Sequence, residues 1–129
     1  MKNQLGLPRN EEITQEFLSL VDEYIADLLE KKIEKQLSTS DFADSLHVAG
    51  RHLSNTLKLT LNISPCEIIE TRIIEEVKIL LTQTDLSISD ISHQFAYKDT
   101  TNFIKFFKGI VGVTPLQFRK REKNKENKK

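Results

Sequence analysis

The chain has 129 residues, of which 38% are hydrophobic and 29% are charged. This size suits one compact domain or two very small ones, and the composition is that of a globular protein rather than a disordered or fibrous one. The single cysteine, Cys66, excludes a disulfide framework or a cysteine zinc site within one chain. No stretch approaches the ~18 apolar residues of a membrane helix, and no secretion signal is evident, so we expect a cytoplasmic protein that spans no membrane.

Charge is distributed unevenly, although the formal net charge is zero. Residues 1–85 contain 9 Lys and Arg against 15 Asp and Glu, a net of −6, whereas residues 86–129 contain 10 against 4, a net of +6. The C-terminal part is therefore expected to meet an anionic partner. Because the charges cancel over the whole chain, any attraction to phosphate has to be local.

The N-terminal part is predicted to be a loose lead-in followed by one helix. Residues 1–10 show no periodicity. Over residues 11–36, apolar residues recur at steps of three and four, which is typical of an amphipathic helix. The apolar stripe consists of Phe17, Leu18, Val21, Tyr24, Ile25, Leu28, Leu29 and Ile33.

The rest of the chain contains a duplicated pattern. Ser38 and Asp41 recur as Ser87 and Asp90, 49 residues later. A serine that accepts a hydrogen bond from the N–H three positions on, with an acidic residue at that position, is typical of a helix start. Each copy therefore predicts the beginning of a helix.

The second half of the pattern recurs at an offset of 50 residues, which adds one residue to the turn of the second copy. Asn62 corresponds to Gly112, and both residue types tolerate the left-handed backbone that ends a helix. Ser64–Pro65 corresponds to Thr114–Pro115, each a hydroxyl N-cap followed by proline in the first helical position. Each copy thus predicts a helix, a tight turn, a second helix and a new helix start.

We therefore predict an all-α fold of about seven helices, in which two helix-turn-helix subdomains are joined by a linking helix in a homeodomain-like arrangement. The tail is expected to be disordered because residues 120–129 contain no apolar side chain. The predicted divisions are a lead-in over 1–10, an N-terminal helix over 11–36, a first helix-turn-helix over 37–64, a linking helix over 65–84, a second helix-turn-helix with a C-terminal helix over 85–121, and a disordered basic tail over 122–129.

Several longer segments of the two copies carry a family resemblance. The first copy contains FADSLHV at 42–48 and RHLS at 51–54, and the second contains DLSISDI at 85–91, FAYKD at 95–99, FIKFFK at 103–108 and GVTPLQFR at 112–119. Together they resemble the DNA-binding domain of the AraC/XylS family of bacterial regulators, over about residues 38–121. The second copy is the more diagnostic one.

Four positions depart from the pattern of that family. Ala96 and Asn62 stand where the family usually has glycine, and Leu57 replaces an aromatic residue. Ala49 stands where the family often has serine. The first recognition helix is therefore expected to lack a side-chain N-cap, whereas Asp99 caps the second.

The resemblance implies a sequence-specific regulator of bacterial transcription without a cofactor or enzymatic activity. Its partner is double-stranded promoter or operator DNA, with RNA polymerase as a second candidate partner. Members of the family usually carry a separate sensor or dimerisation domain, so an N-terminal domain of this kind is a candidate missing part. A linking helix of about 18 residues, roughly 27 Å long, would hold two recognition helices about one DNA turn, ~34 Å, apart in adjacent major grooves.

The predicted recognition helices are about Gly50–Leu61 and Thr100–Gly109, with Leu53, Leu57, Phe103 and Phe107 facing inward. By resemblance, the outward residues of both helices read bases, while the lysines near their ends contact phosphates. Arginine can grip guanine O6 and N7, and asparagine can pair with adenine N6 and N7. The predicted DNA-binding residues are Gly50, Arg51, Ser54, Asn55, Lys58, Thr100, Thr101, Lys105 and Lys108.

The alternative interpretation is a helical protein-interaction module that has lost DNA binding. Its support is the net charge of zero and the acidic first half of the chain. Arg51, Asn55 and Lys105, which lack acidic neighbours on their helices, favour DNA instead. No histidine or acidic set at metal spacing, glycine-rich phosphate loop or serine elbow is present, so we predict neither a catalytic nor a metal site.

Overall fold

A computed structural model of the chain describes residues 8–127. Within this range every regular element is an α-helix, which confirms the predicted all-α fold of about seven helices. None of these helices is both long and apolar enough to cross a membrane. They are α1 (Arg9–Leu29), α2 (Thr39–Ser45), α3 (Gly50–Leu61), α4 (Pro65–Gln83), α5 (Ile88–Gln94), α6 (Thr100–Val111) and α7 (Pro115–Asn127).

The helices form two compact units, and each unit is assembled from two separate stretches of chain. The first unit comprises the described residues up to Asp27 together with Leu37–Thr71. The second comprises Leu28–Gln36 together with the described residues from Arg72 onward. The first unit thus contains the helix pair α2 and α3, and the second contains the pair α5 and α6 with α7.

The core of the first unit is built around the ring of Phe42 on α2. Phe17 and Tyr24, both on α1, meet this ring edge-on at centroid distances of 5.5 and 5.6 Å. Leu53 and Leu57 of α3 are completely buried. Phe17 and Tyr24 of the stripe predicted for the N-terminal helix therefore supply the surface on which Phe42 packs, whereas Leu18, which was also predicted for this stripe, is exposed.

The core of the second unit joins α6 to α7 and fixes the end of α4. Phe107 of α6 meets Phe118 of α7 edge-on at 5.8 Å. The guanidinium of Arg119 donates to the carbonyl oxygens of Leu81 (2.9 Å) and Thr84 (3.4 Å), which lie at the C-terminal end of α4. These bonds satisfy carbonyls that have no partner within the helix, so Arg119 has a structural role.

The prediction of an N-terminal helix over 11–36 is wrong at the C-terminal end, because α1 ends at Leu29. Lys31 adopts a left-handed backbone (φ 59°), and its N–H donates to the carbonyl of Leu28 at 3.1 Å. This turn stops the helix although the apolar periodicity continues to Ile33, which lies outside any helix and is partly exposed. The connector after α1, residues 30–38, is irregular chain.

The predicted lead-in over residues 1–10 is also shorter than expected. Helix α1 begins at Arg9, inside the predicted lead-in, and the carbonyl of Pro8 accepts the Glu12 N–H at 3.0 Å. Residues 1–7 of the lead-in lie outside the described residues.

The tail predicted to be disordered over 122–129 is helical as far as Asn127. Arginine, lysine and glutamate are strong helix formers, so no apolar face is required for a short extension. The Glu122 carboxylate lies 3.2 Å from Lys125 Nζ and 3.8 Å from Arg121 Nε, which adds local ion pairing. Residues 128–129 lie outside the described range.

Tyr24 anchors the chain where it re-enters the first unit. Its phenol oxygen accepts a hydrogen bond from the Leu37 N–H at 3.2 Å. Burial raises the pKa of this phenol. The bond fixes the start of the segment that leads into α2.

Candidate nucleic-acid interface

Each unit presents a short helix, a tight turn and a longer helix, and the short helices begin as the sequence predicts. Ser38 and Asp41 form a reciprocal capping box: the serine hydroxyl accepts the Asp41 N–H (3.2 Å), and the aspartate accepts the Ser38 N–H (2.8 Å). In the second unit the hydroxyl of Ser87 accepts the Asp90 N–H at 2.9 Å. The predicted helix starts are confirmed in both copies.

The turns that follow α2 and α5 have the same hydrogen-bond pattern. In the first, the His47 N–H donates to the Asp44 carbonyl, and the next N–H donates to the Ala43 carbonyl, both at 3.1 Å. In the second, Ala96 donates to the His93 carbonyl (3.0 Å), and the next N–H donates to the Ser92 carbonyl (3.1 Å). This is the Schellman motif, which needs a left-handed residue after the helix. It accounts for the positive φ of His47 (59°) and Ala96 (63°).

The two recognition helices differ at their N-termini as predicted. Ala49 precedes α3 and offers no side-chain hydrogen bond, whereas the Asp99 carboxylate accepts the Thr101 N–H at 2.8 Å. Both helices end on a left-handed residue, Asn62 (φ 57°) and Gly112 (φ 95°). Helix α3 has the predicted bounds, and α6 ends at Val111, two residues later than predicted.

Two buried side chains, one helical turn apart, set the rotation of each recognition helix about its own axis. They are Leu53 and Leu57 in α3, and Phe103 and Phe107 in α6, all with no exposed surface. Because residues four apart share a face of a helix, the opposite face of each helix is directed away from the core. The inward assignment made from the sequence is confirmed.

The outward face of α3 is polar and basic over residues 50–58, whereas Leu59 near its C-terminal end is an apolar residue that is 77% exposed. Gly50, Arg51, Asn55 and Lys58 are exposed, and Ser54 is partly exposed. Among the described residues, the Arg51 and Lys58 side chains form no ion pair. The helix contains no acidic residue. Its cationic groups are therefore available to an external anion.

The outward face of α6 has the same sign of charge. Thr101, Lys105 and Lys108 are exposed, and Thr100 is partly exposed. Helix α6 also contains no acidic residue, and the neighbouring Asp99 is occupied as its N-cap. Each of the predicted site residues therefore has an accessible side chain or backbone on one of the two recognition helices.

Three further residues on these faces were missing from the predicted set. His52 and Asn102 are exposed, and Ile104 is partly exposed. The offset of 50 residues relates His52 to Asn102 and Ser54 to Ile104. Applying that offset to the predicted residues of α3 would have identified Ile104 through Ser54, whereas His52 and Asn102 correspond only to each other.

The geometry of both units agrees with a match to a known family. A family model described as a helix-turn-helix domain matches residues 42–121, which include α3 and α6. The chain belongs to the AraC-type helix-turn-helix family of DNA-binding transcriptional regulators.

A sequence relative and solved structures are similar to this chain. The HTH-type transcriptional regulator YtdP of Bacillus subtilis (strain 168) is 28% identical over 104 residues, which cover 81% of this chain and 14% of YtdP. The chain thus spans a small part of that relative's length. The C-terminal domain of AraT, a response regulator from Geobacillus stearothermophilus, matches with a TM-score of 0.68 and 27% identity, covering 81% of this chain and 84% of that one.

A second structure shows the same fold at lower identity. The DNA-binding domain of AdpA, a global transcriptional factor whose structure was solved in complex with a target DNA, has a TM-score of 0.67 and 16% identity. The match covers 84% of this chain and 97% of the AdpA chain.

Proposed function

We propose that this AraC-type chain binds specific promoter or operator sites in double-stranded DNA and thereby regulates transcription. The observation that carries the proposal is the composition of the outward faces of α3 and α6. Both expose polar and basic side chains without any acidic residue, although the chain as a whole has no net charge. Such a distribution fits a local contact with phosphates and base edges.

The proposed roles follow from the chemistry of each side chain. Arg51 donates in a bidentate way to guanine O6 and N7, and Asn55 pairs with adenine N6 and N7. Lys58 and Lys108, near the C-terminal ends of their helices, bind phosphates. The two helices enter adjacent major grooves.

We also propose where the chain acts and with which partners. The family and fold point to a DNA-binding regulator, and no catalytic role is assigned to any residue. The protein is proposed to act in the cytoplasm, where bacterial DNA lies. On the strength of the family resemblance, RNA polymerase is proposed as a further partner. An N-terminal sensor or dimerisation domain is proposed as a further part of the protein.

The test is a comparison of specific and non-specific affinity in alanine variants. A specific duplex is first selected from a random library with the full chain. Arg51→Ala and Asn55→Ala are each expected to weaken binding to that duplex by ~1–3 kcal/mol, with little change on random DNA. Lys32→Ala, which removes an exposed cation outside both recognition helices, is the charge-matched control and should bind normally.

Two outcomes would contradict the proposal. Equal losses on specific and random DNA would show that these side chains do not read bases. Failure to shift any duplex in a gel at about 50 mM salt, where phosphate contacts are strong, would favour the protein-interaction module instead.

A further inference from the structure

The two recognition helices carry different chemistry at corresponding positions. In α3 three of the proposed base-reading positions carry side chains that form hydrogen bonds. In α6 two of the three corresponding positions offer methyl groups. The pairs related by the offset of 50 residues are Arg51 and Thr101, Ser54 and Ile104, and Asn55 and Lys105.

The methyl groups of α6 lie on one side of the helix. Thr101 and Ile104 are three residues apart, and Thr100 precedes Ile104 by four, so each threonine is a neighbour of Ile104 on the helix surface. Thr101 is exposed, while Thr100 and Ile104 are partly exposed. Lys105, which is exposed, follows directly. The arrangement is an apolar strip beside a cation.

Core packing alone does not dictate an isoleucine at position 104. The core-facing row of α6 is supplied by Phe103 and Phe107, which are completely buried, whereas Ile104 keeps part of its surface exposed. In α3 the corresponding position is occupied by Ser54, which is also partly exposed. The same packing arrangement therefore tolerates a polar residue there, and the isoleucine calls for another explanation.

Thymine is the base whose major-groove edge presents a methyl group; the other bases present hydrogen-bond donors and acceptors. Placing Ile104 against those polar edges would leave their groups unpaired, which is unfavourable. Placing it against thymine removes apolar surface of both partners from water. Resting on the proposed function, we infer that α6 recognises thymine methyl groups through Thr101 and Ile104. The half-site under α6 is then thymine-rich, whereas the half-site under α3 is read through hydrogen bonds.

The test removes the methyl groups from the DNA and leaves the rest of each base unchanged. The full chain selects a duplex from a random library, and Lys105→Ala identifies the half-site whose base preference depends on α6. Thymines are then replaced by deoxyuridine in one half-site at a time. We expect about fourfold weaker binding for each contacted thymine in the α6 half-site and little change in the α3 half-site.

Protein variants remove the methyl groups from the other side of the contact. Thr101→Ser keeps the hydroxyl and alters an exposed position, so the fold should be retained. Ile104→Ser reproduces the residue found at Ser54 in the first copy. Both variants are expected to discriminate less between thymine and uracil in the α6 half-site. Ser54→Ala is the matched control and should leave this discrimination unchanged.

The outcomes separate this inference from the proposed function. If uracil duplexes bind as tightly as thymine duplexes, or if both half-sites lose equally, methyl recognition by α6 is wrong while specific DNA binding stands. If Thr101→Ser and Ile104→Ser both keep the full discrimination, the residues are wrongly assigned. If no duplex is recovered at low salt, the proposed function fails and this inference fails with it.

Discussion

Each helix-turn-helix places a residue with a side chain in left-handed backbone at the end of its first helix. These residues are His47 (φ 59°) and Ala96 (φ 63°). A Cβ in this region costs roughly 1–2 kcal/mol, because it approaches the following carbonyl oxygen. Histidine is among the residues found there more often, and alanine is not. The turn of the second unit is therefore the more strained of the two.

Replacing Ala96 by glycine should relieve this strain. We expect Ala96→Gly to raise the free energy of unfolding by about 1 kcal/mol, as measured by urea denaturation. The control is Ala26→Gly in the last turn of α1, which should lower the free energy of unfolding by up to about 1 kcal/mol because glycine is a poor helix former. Loss of stability in both variants would contradict the strain assigned to Ala96.

A buried residue within α5 is unfavourable for a different reason. Ser92 is completely buried, and its hydroxyl has no hydrogen-bond partner among the described residues. Its counterpart in the first copy is Ala43, which is also buried. A buried hydroxyl without a partner keeps its desolvation cost uncompensated.

Exchanging these two residue types should therefore have opposite effects. Ser92→Ala is expected to stabilise the fold by about 1 kcal/mol, whereas Ala43→Ser should destabilise it by about 1–3 kcal/mol. Thermal unfolding of the two variants beside the parent chain measures both changes. A loss of stability in Ser92→Ala would mean that its hydroxyl has a favourable interaction.

At the scale of the helices, α3 and α6 differ in the cap that precedes them. Ala49→Ser should add the missing hydrogen bond at the start of α3 and stabilise the chain by about 1 kcal/mol. Asp99→Ala removes the existing cap of α6 and should cost about the same. Urea denaturation compares the two. Equal stability of Ala49→Ser and the parent chain would show that the N-terminal N–H groups of α3 gain nothing from a serine.

The helix starts could be predicted from the sequence because capping is local. Ser38, Ser87 and Asp99 each bond to an N–H two or three residues away, so the signal lies within one helical turn. The end of α1 could not be predicted, since residues 30–37 contain no glycine, asparagine or proline that would mark it. The apolar periodicity there predicted a longer helix than the one observed.

The course of the connector depends on contacts between residues far apart in the sequence. The amide of Gln94 donates to the Leu29 carbonyl at 2.9 Å, and the amide of Gln36 donates to the Phe95 carbonyl at 3.3 Å. These partners are separated by 65 and 59 residues. No local pattern encodes such bonds, which is why the segment was assigned to a helix.

At the scale of the whole molecule, attraction to DNA has to come from a few local cations. The net charge is zero, so long-range steering is weak. Lys58→Ala and Lys108→Ala should each reduce the slope of log affinity against log salt concentration by about 1. Fluorescence anisotropy over a salt series measures this slope. Lys32→Ala should leave it unchanged, and an unaltered slope in the first two variants would exclude phosphate contacts at these lysines.

The outward-facing residues of the site could be predicted from the sequence because helical periodicity decides which side of a helix is buried. Two buried residues per helix fix which side faces outward, so the exposure of Arg51, Asn55 and Lys105 was predictable. The partly exposed Ile104 was missed because an isoleucine beside Phe103 is normally read as core. Its inferred role in thymine recognition rests on the comparison with Ser54 in the other copy.

The two units are interleaved along the chain. Leu28–Gln36 belongs with the second helix pair, although it lies between stretches of the first. Neither unit is therefore a continuous segment of the polypeptide, and neither can be excised or exchanged as a single stretch of chain. A chimera that exchanges the second unit must therefore replace Leu28–Gln36 together with residues 72–129, because both stretches belong to the same compact unit.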